Sequence, residues 1–298
     1  EMCDSDWSSD VCSSDLVPFS TSPFIMLYNK TLFDEAGVPD PDQLTQEGDW
    51  TWERFAEVSK AIKDSTGTWG FQTVDGQGYD VRVWHNLLPI VRSYGADAWD
   101  QNGNCLINEP GAVEAVQLFH DMVYEDESVV PPGDQSDFYA GNAAMTVGQI
   151  SRVGKLEDAD FEWGIAPLPS GPEGSAPVIG QAAVVAFAAS EHPAEAAEFV
   201  AFMTNKANVE KMAEYFPPAR TSVLESDAFL EANPNVSPGD MEVVAEAIQN
   251  GEVLSFHENF PKIDLASRAE FDALWSPDAN VEQVLNSVCE AITPLLNQ

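Results

Sequence analysis

Apolar residues recur along this chain at two spacings, and the changes between them mark out its elements. Phe24 to Tyr28 reads as a buried strand, and Lys30 to Ala36 as a short helix stopped by Gly37 with Pro39 following. Thr51 is placed to cap a helix in which Phe55, Val58 and Ile62 share one face. Trp69-Gly70-Phe71 is a short strand signal. A helix is expected around Trp84 and Leu88, kinked or broken at Pro89. Asn102-Gly103 predicts a hairpin. Asn108 is the expected cap of a helix with Pro110 in its first turn and Ala112, Val116, Phe119 and Val123 on its buried face.

The stretch FYAGNAAMTVGQ, Phe138 to Gln149, carries glycines at 141 and 148 around a short apolar run. Each glycine would cost a helix about 1 kcal/mol against alanine, so residues 143–147 are expected to be a strand. A short helix near 151–156 and a strand in FEWGIAPLP follow, then the loop PLPSGPEGSAPVIG. QAAVVAFAAS reads as a buried strand, and Glu195 to Met203 as a helix with Ala196, Phe199, Val200 and Met203 inward. PNVSPGD is a second breaker cluster, followed by three helical stretches, the last through Val281 to Leu296. The irregular mixture of strands and helices predicts an α/β fold.

Composition narrows what such a fold could do. The chain has 298 residues, 44% of them apolar, enough for a proper core, and no apolar run approaches the ~20 residues of a membrane span. Thirteen basic against 50 acidic residues give a net charge of -37, which repels phosphate backbones and argues against nucleic-acid binding. Such a surface suits salt-rich surroundings, where ions screen it. None of the four cysteines, Cys3, Cys12, Cys105 and Cys289, has zinc-site spacing. Cys289 lies on the apolar stripe of Val281, Val284, Leu285, Val288 and Ile292, where it would pack as a small hydrophobe; a Cys105–Cys289 disulfide is possible in an exported protein. Residues 1–16, EMCDSDWSSDVCSSDL, have neither period nor basic residue and resemble translated sequencing-adapter read-through. They are set aside as a non-native or disordered leader, with the true upstream region expected to be lost.

FIMLYNKTLFDEAGVPDP with DWTWERFAEVSKAI resembles the YNK-x-LF-x-x-AG…TW signature of extracellular solute-binding proteins of carbohydrate ABC importers. FYAGNAAMTVGQ is similar to that family's F-x-x-GKAAM-x-x-G strand, and WGIAPLPSGPEG, VIGQAAVVAF and HPAEAAEFVAFMTN resemble its next strand, glycine loop and helix. The resemblance implies a two-lobe, type II periplasmic-binding-protein-like fold related to maltose-binding protein. Residues 17–181 and 238–298 would form the second lobe, and 182–237 a retained part of a first lobe that is largely missing. Losing much of a lobe should expose apolar surface and weaken or abolish binding.

A sugar offers hydroxyl rims and apolar faces, so its receptor needs aromatic platforms and planar hydrogen-bonding groups. The resemblance places Tyr79, Arg82 and Trp84 at the start of a cleft-facing helix, with Trp84 either a stacking platform or a core residue. Many relatives carry a tryptophan just after the glycine of the AAM strand. Here Gln149, Ile150, Ser151 and Arg152 stand there, so Gln149, Ser151 and Arg152 would make a more polar contact. Gly180 is expected to let backbone amides meet the ligand, Gly148 to let the loop after it approach, and Gln181 to add an amide. His257, Phe260 and Asp264 are candidates for another wall. The resulting expectation is a monomeric, extracytoplasmic, lipid-anchored binding protein that carries a carbohydrate to a membrane permease, without catalysis, cofactor or metal. The alternatives are a glycoside hydrolase, needing two carboxylates about 5–9.5 Å apart, or a binding protein for a polyamine or other small solute.

Overall fold

Strands and helices follow one another here with almost no linker. In the computed structural model, which describes residues 16–298, β1 (Val17–Pro23) passes through Phe24 into β2 (Ile25–Asn29). The Asn29 side chain then accepts the Leu32 N–H and so caps α1 (Lys30–Ala36). Next come α2 (Pro41–Glu47), α3 (Trp52–Thr66, capped by Thr51), β3 (Trp69–Gln72), α4 (Val83–Ser93) and α5 (Pro110–Tyr124). β4 (Ala143–Gly148), a 3₁₀ segment over Ile150–Leu156, β5 (Trp163–Ala166) and β6 (Val178–Val184) follow. The remaining elements are α6 (Pro193–Thr204), α7 (Lys206–Met212), α8 (Thr221–Leu224), α9 (Asp227–Leu230), α10 (Pro238–Asn250), β7 (Glu252–Val253), α11 (Phe260–Phe271) and α12 (Val281–Leu296). Cys3, Cys12 and the rest of the leader up to residue 15 lie outside the described residues.

A four-stranded sheet in the order β3-β4-β2-β5 organises the larger part of the molecule. β2 is antiparallel to both neighbours, while β3 is parallel to β4. Alternate side chains of a strand point to opposite faces. Met26 and Tyr28 therefore join the core built on α3, α4, α5, α11 and α12, whereas Ile25 and Leu27 join a second core with Val153, Leu156, Phe229, Met241 and Val244. The sheet is buried on both sides.

A second sheet, β1-β6-β7, leaves this body at its edge. β1 and β6 are antiparallel, from Val17 opposite Val184 to Pro23 opposite Ile179. The chain meets β1 a third time where Ser20 bridges Pro218 and the Thr21 N–H donates to the Pro217 carbonyl at 2.9 Å. β6 and the 217–218 stretch thus carry the chain between the four-stranded body and an arm over residues 185–216, and β1 pairs with both.

Several expectations need correction. α4 runs through Pro89 without ending, leaving the His85 carbonyl without its usual i+4 donor. Asn108 is not the cap of α5; that position is Glu109, and the Asn108 amide instead donates to Asn286 Oδ1 at 2.7 Å. QAAVVAFAAS is not a buried strand: Gln181 to Ala183 are exposed although β1 pairs with them along one edge. In α6 only Val200 and Thr204 are buried, and Phe199 is 61% exposed. Leu224, Phe229 and Val236 pack in the second core with Ile25 and Leu27 of the four-stranded sheet.

Cys105 and Cys289 are joined by a disulfide across 184 residues of sequence. It ties α12 to a hairpin in which Trp99 bridges Cys105. The Asp100 carboxylate caps that hairpin, accepting the Asn102 and Asn104 N–H groups at 2.8 and 2.9 Å. Hydrogen bonds from the Asn104 side chain and from these backbone groups hold its carboxyl down at about 2.

Candidate functional site

A cleft opens where β1, the end of β4, the middle of β6 and the start of α4 converge. It encloses about 300 Å³ and is lined by Arg82, His85, Gln149, Ser151, Gly180 and Gln181, with Phe19, Phe24, Tyr215 and Phe216 supplying aromatic surface. Five sequence-predicted residues, Arg82, Gln149, Ser151, Gly180 and Gln181, are brought together here although they come from three separate segments. Strand ends and the loops after them are where open α/β sheets place ligands. Larger grooves of about 500 and 780 Å³ flank β7 on another side. There the Arg92 guanidinium is already engaged by Asp97 at 3.2 Å, the Val253 carbonyl at 3.0 Å and Ser255 Oγ at 3.2 Å.

The glycine that matters is Gly180. A β-carbon there would lie 2.7 Å from Gln149 Nε2, which crosses to donate to the Ser22 carbonyl at 3.1 Å. Gly180 therefore lets the β4 end and β1 be bridged by an amide inside the cleft. Gly148 has no such need, because a β-carbon would meet ordinary contacts of 3.4 Å or more. The other glycine of that stretch, Gly141, closes a 3₁₀ turn at φ 78, the left-handed region that favours glycine.

Arg82 is the N-cap residue of α4 and extends a guanidinium whose only described partner is Asp75, 4.0 Å away. Asp75 is shared, since Arg152 Nη2 reaches both of its oxygens, Oδ1 at 2.9 Å and Oδ2 at 3.0 Å. Arg152 thus stands behind the lining, joined to it through Asp75. His85 lies against the Phe24 ring at 5.0 Å, and its Nδ1 is buried with no hydrogen-bond partner among the described residues. Burial first, and then the Arg82 charge, push its pKa down to about 4 against a smaller pull from Asp75, so it is neutral at neutral pH.

The other predicted residues lie outside the cleft lining. Trp84 is 3% exposed and packs edge-on against Trp99 and Phe271, donating from Nε1 to Ser267 Oγ at 3.2 Å. Position two of a helix packed under α11 faces the core, so Trp84 is a core residue and not a stacking platform. Tyr79 donates to the Val130 carbonyl at 2.7 Å and packs against Trp275. His257 pairs with the Leu296 carbonyl at 3.2 Å, and Phe260 packs against Trp99. Asp264 pairs with Arg268 at 3.3 Å, yet burial raises its carboxyl pKa overall. Phe19, His85, Tyr215 and Phe216 were missed. They carry no motif, and only the 217–218 crossing brings Tyr215 and Phe216 beside β1; the ring centroids of Phe19 and Phe216 are 5.6 Å apart.

Comparison with known proteins bears on this geometry. The arabinooligosaccharide-binding protein of Halalkalibacterium halodurans is 28% identical over 235 residues, covering 73% of this chain and 50% of its own length. The sn-glycerol-3-phosphate-binding periplasmic protein of Pectobacterium atrosepticum is 25% identical over 305 residues, covering 94% and 66%. This chain thus spans about half to two thirds of the length of these relatives. Among solved structures, the cyclic alpha-maltosyl-1,6-maltose binding protein of Arthrobacter globiformis superposes with TM-score 0.77 at 24% identity, over 94% of this chain and 72% of its own. A substrate-binding protein of Listeria monocytogenes in complex with cycloalternan gives 0.78 at 22%, over 95% and 71%. The fold is that of type II periplasmic binding proteins. A family profile matches residues 4–210, beginning inside the stretch set aside above, and the chain belongs to the family of bacterial extracellular solute-binding proteins.

Proposed function

We propose that this chain is the ligand-capturing component of an ABC importer, holding a carbohydrate or related polyol in the cleft and delivering it to a membrane permease. The observation that carries this is the convergence of Arg82, His85, Gln149, Ser151 and Gln181 with four aromatic rings at the strand ends. Planar donors and acceptors beside apolar rings suit hydroxyls and C–H faces together. Among the described residues that line the cleft none is an aspartate or glutamate, which favours a neutral polyol over the carboxylate pair of a glycosidase. The working protein is read as an extracytoplasmic, lipid-anchored monomer.

The arm over 185–216 is read as part of a first lobe, narrower than the 182–237 expected. Phe187, Phe199 and Phe202 are 77%, 61% and 59% exposed. A helix with apolar residues on every side, as α6 has despite Glu195 and Glu198, belongs in a core with neighbours on more than one side. The relatives carry further length with no counterpart in this sequence, and the rest of that lobe is the proposed neighbour. Replacing Phe187, Phe199 and Phe202 together by serine should lower binding of a hydrophobic dye while leaving the unfolding temperature unchanged. Unfolding at a distinctly lower temperature would show that the three rings already belong to the folded core.

The test of function is chemical-shift mapping with a panel of sugars and polyols. Shifts clustered at Arg82, Gln149, Gly180 and Gln181, with no product formed, are expected. Shifts elsewhere, or turnover of a chromogenic glycoside, would overturn the reading.

A further inference from the structure

The hydrogen-bonding groups that line the cleft are not equally free. The Arg82 guanidinium is paired with Asp75 at 4.0 Å. The Tyr215 hydroxyl donates to Glu157 Oε1 at 3.2 Å, with the Glu214 carboxylate also acting on it. Gln149 Nε2 donates to the Ser22 carbonyl at 3.1 Å. A carbonyl can only accept, so the orientation of that amide is fixed and Gln149 Oε1 is left as an acceptor. Three donors of the lining are thus directed at protein groups, while lone pairs remain on the oxygens of Gln149, Ser151, Gln181 and Tyr215.

His85 is fixed with the opposite polarity. It follows Arg82 by three residues, so the two share one side of α4 while Trp84 between them is buried in the core. The next residue, Asn86, accepts the Val74 N–H at 3.2 Å, and the Phe24 N–H donates to the Val178 carbonyl at 2.9 Å. The imidazole is held between these anchored segments, its ring centroid 5.0 Å from that of Phe24. Its Nδ1 is enclosed without a hydrogen-bond partner among the described residues, whereas Nε2 is not enclosed. Burial and the Arg82 charge keep the ring neutral at neutral pH, so one nitrogen carries a proton and the other a lone pair. A buried N–H without an acceptor is the costlier orphan. The proton therefore belongs on Nε2, the nitrogen that the cleft can reach.

We propose that His85 determines specificity in the cleft by presenting an Nε2–H to one oxygen of the bound sugar, with its Nδ1 carrying only a lone pair. This rests on the binding function proposed above. A hydroxyl in its place could turn to serve as donor or acceptor, whereas an imidazole locked in one tautomer serves as donor alone. The ligand must then set an oxygen lone pair against His85 and turn its own hydroxyl protons toward acceptors such as Gln149 Oε1. Because the ring is already packed against Phe24, little side-chain freedom is lost when that bond forms.

Two measurements on the full chain test this. In protein carrying nitrogen-labelled histidine, long-range proton–nitrogen correlation spectra at neutral pH should show His85, identified as the signal missing from His85→Gln, with Nε2 protonated and Nδ1 bare. A protonated Nδ1 would overturn the inference whatever the ligand. Affinities for glucose, maltose, arabinose and glycerol are then compared by chemical-shift mapping. His85→Phe keeps a ring against Phe24 but has no N–H, and should weaken whichever of these probes shift the cleft about tenfold. His85→Gln, whose amide nitrogen stands where Nε2 does, should stay within about threefold of the parent. A role in packing alone gives the reverse order, retention in the phenylalanine variant and loss in the glutamine one. That result would overturn the inference and leave the binding function standing. Should His85→Phe lose its native unfolding transition, His85→Asn, whose amide nitrogen reaches only as far as Nδ1, should show the tenfold loss in its place. Absence of any cleft shift with all four probes would overturn the binding function, and the recognition role of His85 with it.

Discussion

α3 and α6 stand in opposite relation to their own composition. Six of the fifteen residues of α3 are apolar, and Trp52, Phe55, Ala56, Val58 and Ile62 are buried. Eight of the twelve residues of α6 are apolar, yet Val200 is the only one of them that is buried. The helix with the higher apolar content is thus the one left uncovered. Burial depends on what the opposite surface supplies, and α3 finds a sheet and α5 against it while α6 lies mainly against β1 and α7 among the described residues. The four-stranded sheet is covered on both faces, whereas most apolar side chains of α6 are not covered by any described residue.

If that contrast is real, truncating an aromatic ring should cost differently in the two regions. Phe55, fully buried between Trp50, Trp52 and Phe71, should lose about 3–5 kcal/mol on replacement by alanine. Phe202→Ala should stay within about 0.5 kcal/mol. Chemical denaturation of both variants measures this, and a comparable loss at Phe202 would mean that the arm is already packed.

The disulfide sharpens the same contrast. Cys105–Cys289 joins two elements of the body across a loop of 184 residues that also contains the arm, and replacing both cysteines by alanine should cost about 2–5 kcal/mol. Hydrogen exchange should accelerate in α12 and in the hairpin that holds Cys105, with α6 unchanged. If α6 accelerates as much as α12, body and arm unfold as one unit and the division fails.

Local patterns made the body legible and hid the arm. Asn29 to Gly37, Thr51 with its helix, and the stripe of α12 were readable because a cap, a period and a stop agree within a dozen residues. α6 was misread because its apolar residues lie on every side, so no face is marked and the inward set had to be chosen by assuming a partner. The same limit split the site. Arg82, Gln149, Ser151, Gly180 and Gln181 were found through motif resemblance, and the structure brings them to one cleft. Trp84 was nominated for its chemistry, but whether an early helical residue faces a cleft or α11 is decided by packing that no local pattern records. Tyr215 and Phe216 reach the cleft through the 217–218 crossing, a long-range pairing without a sequence signature.

His85 stands at the junction of the two regions, facing Phe24 of the body and the cleft below the arm. Its pKa is pushed from 6.5 down to about 4, chiefly by burial and then by Arg82. The folded state therefore binds fewer protons than the unfolded chain wherever the pH lies below 6.5, and stability falls as the pH drops from there through 4. His85 is partly exposed, so solvent screening reduces the effect to about 1 kcal/mol between about pH 7 and pH 5. His85→Gln keeps a neutral hydrogen-bonding side chain that does not titrate, and the difference between variant and parent cancels the carboxylates common to both. Denaturation midpoints should converge toward, or cross in favour of, the variant as the pH falls. If the two midpoints fall in parallel, His85 is solvated in solution, and the cleft side of the body is then as open as the face of α6.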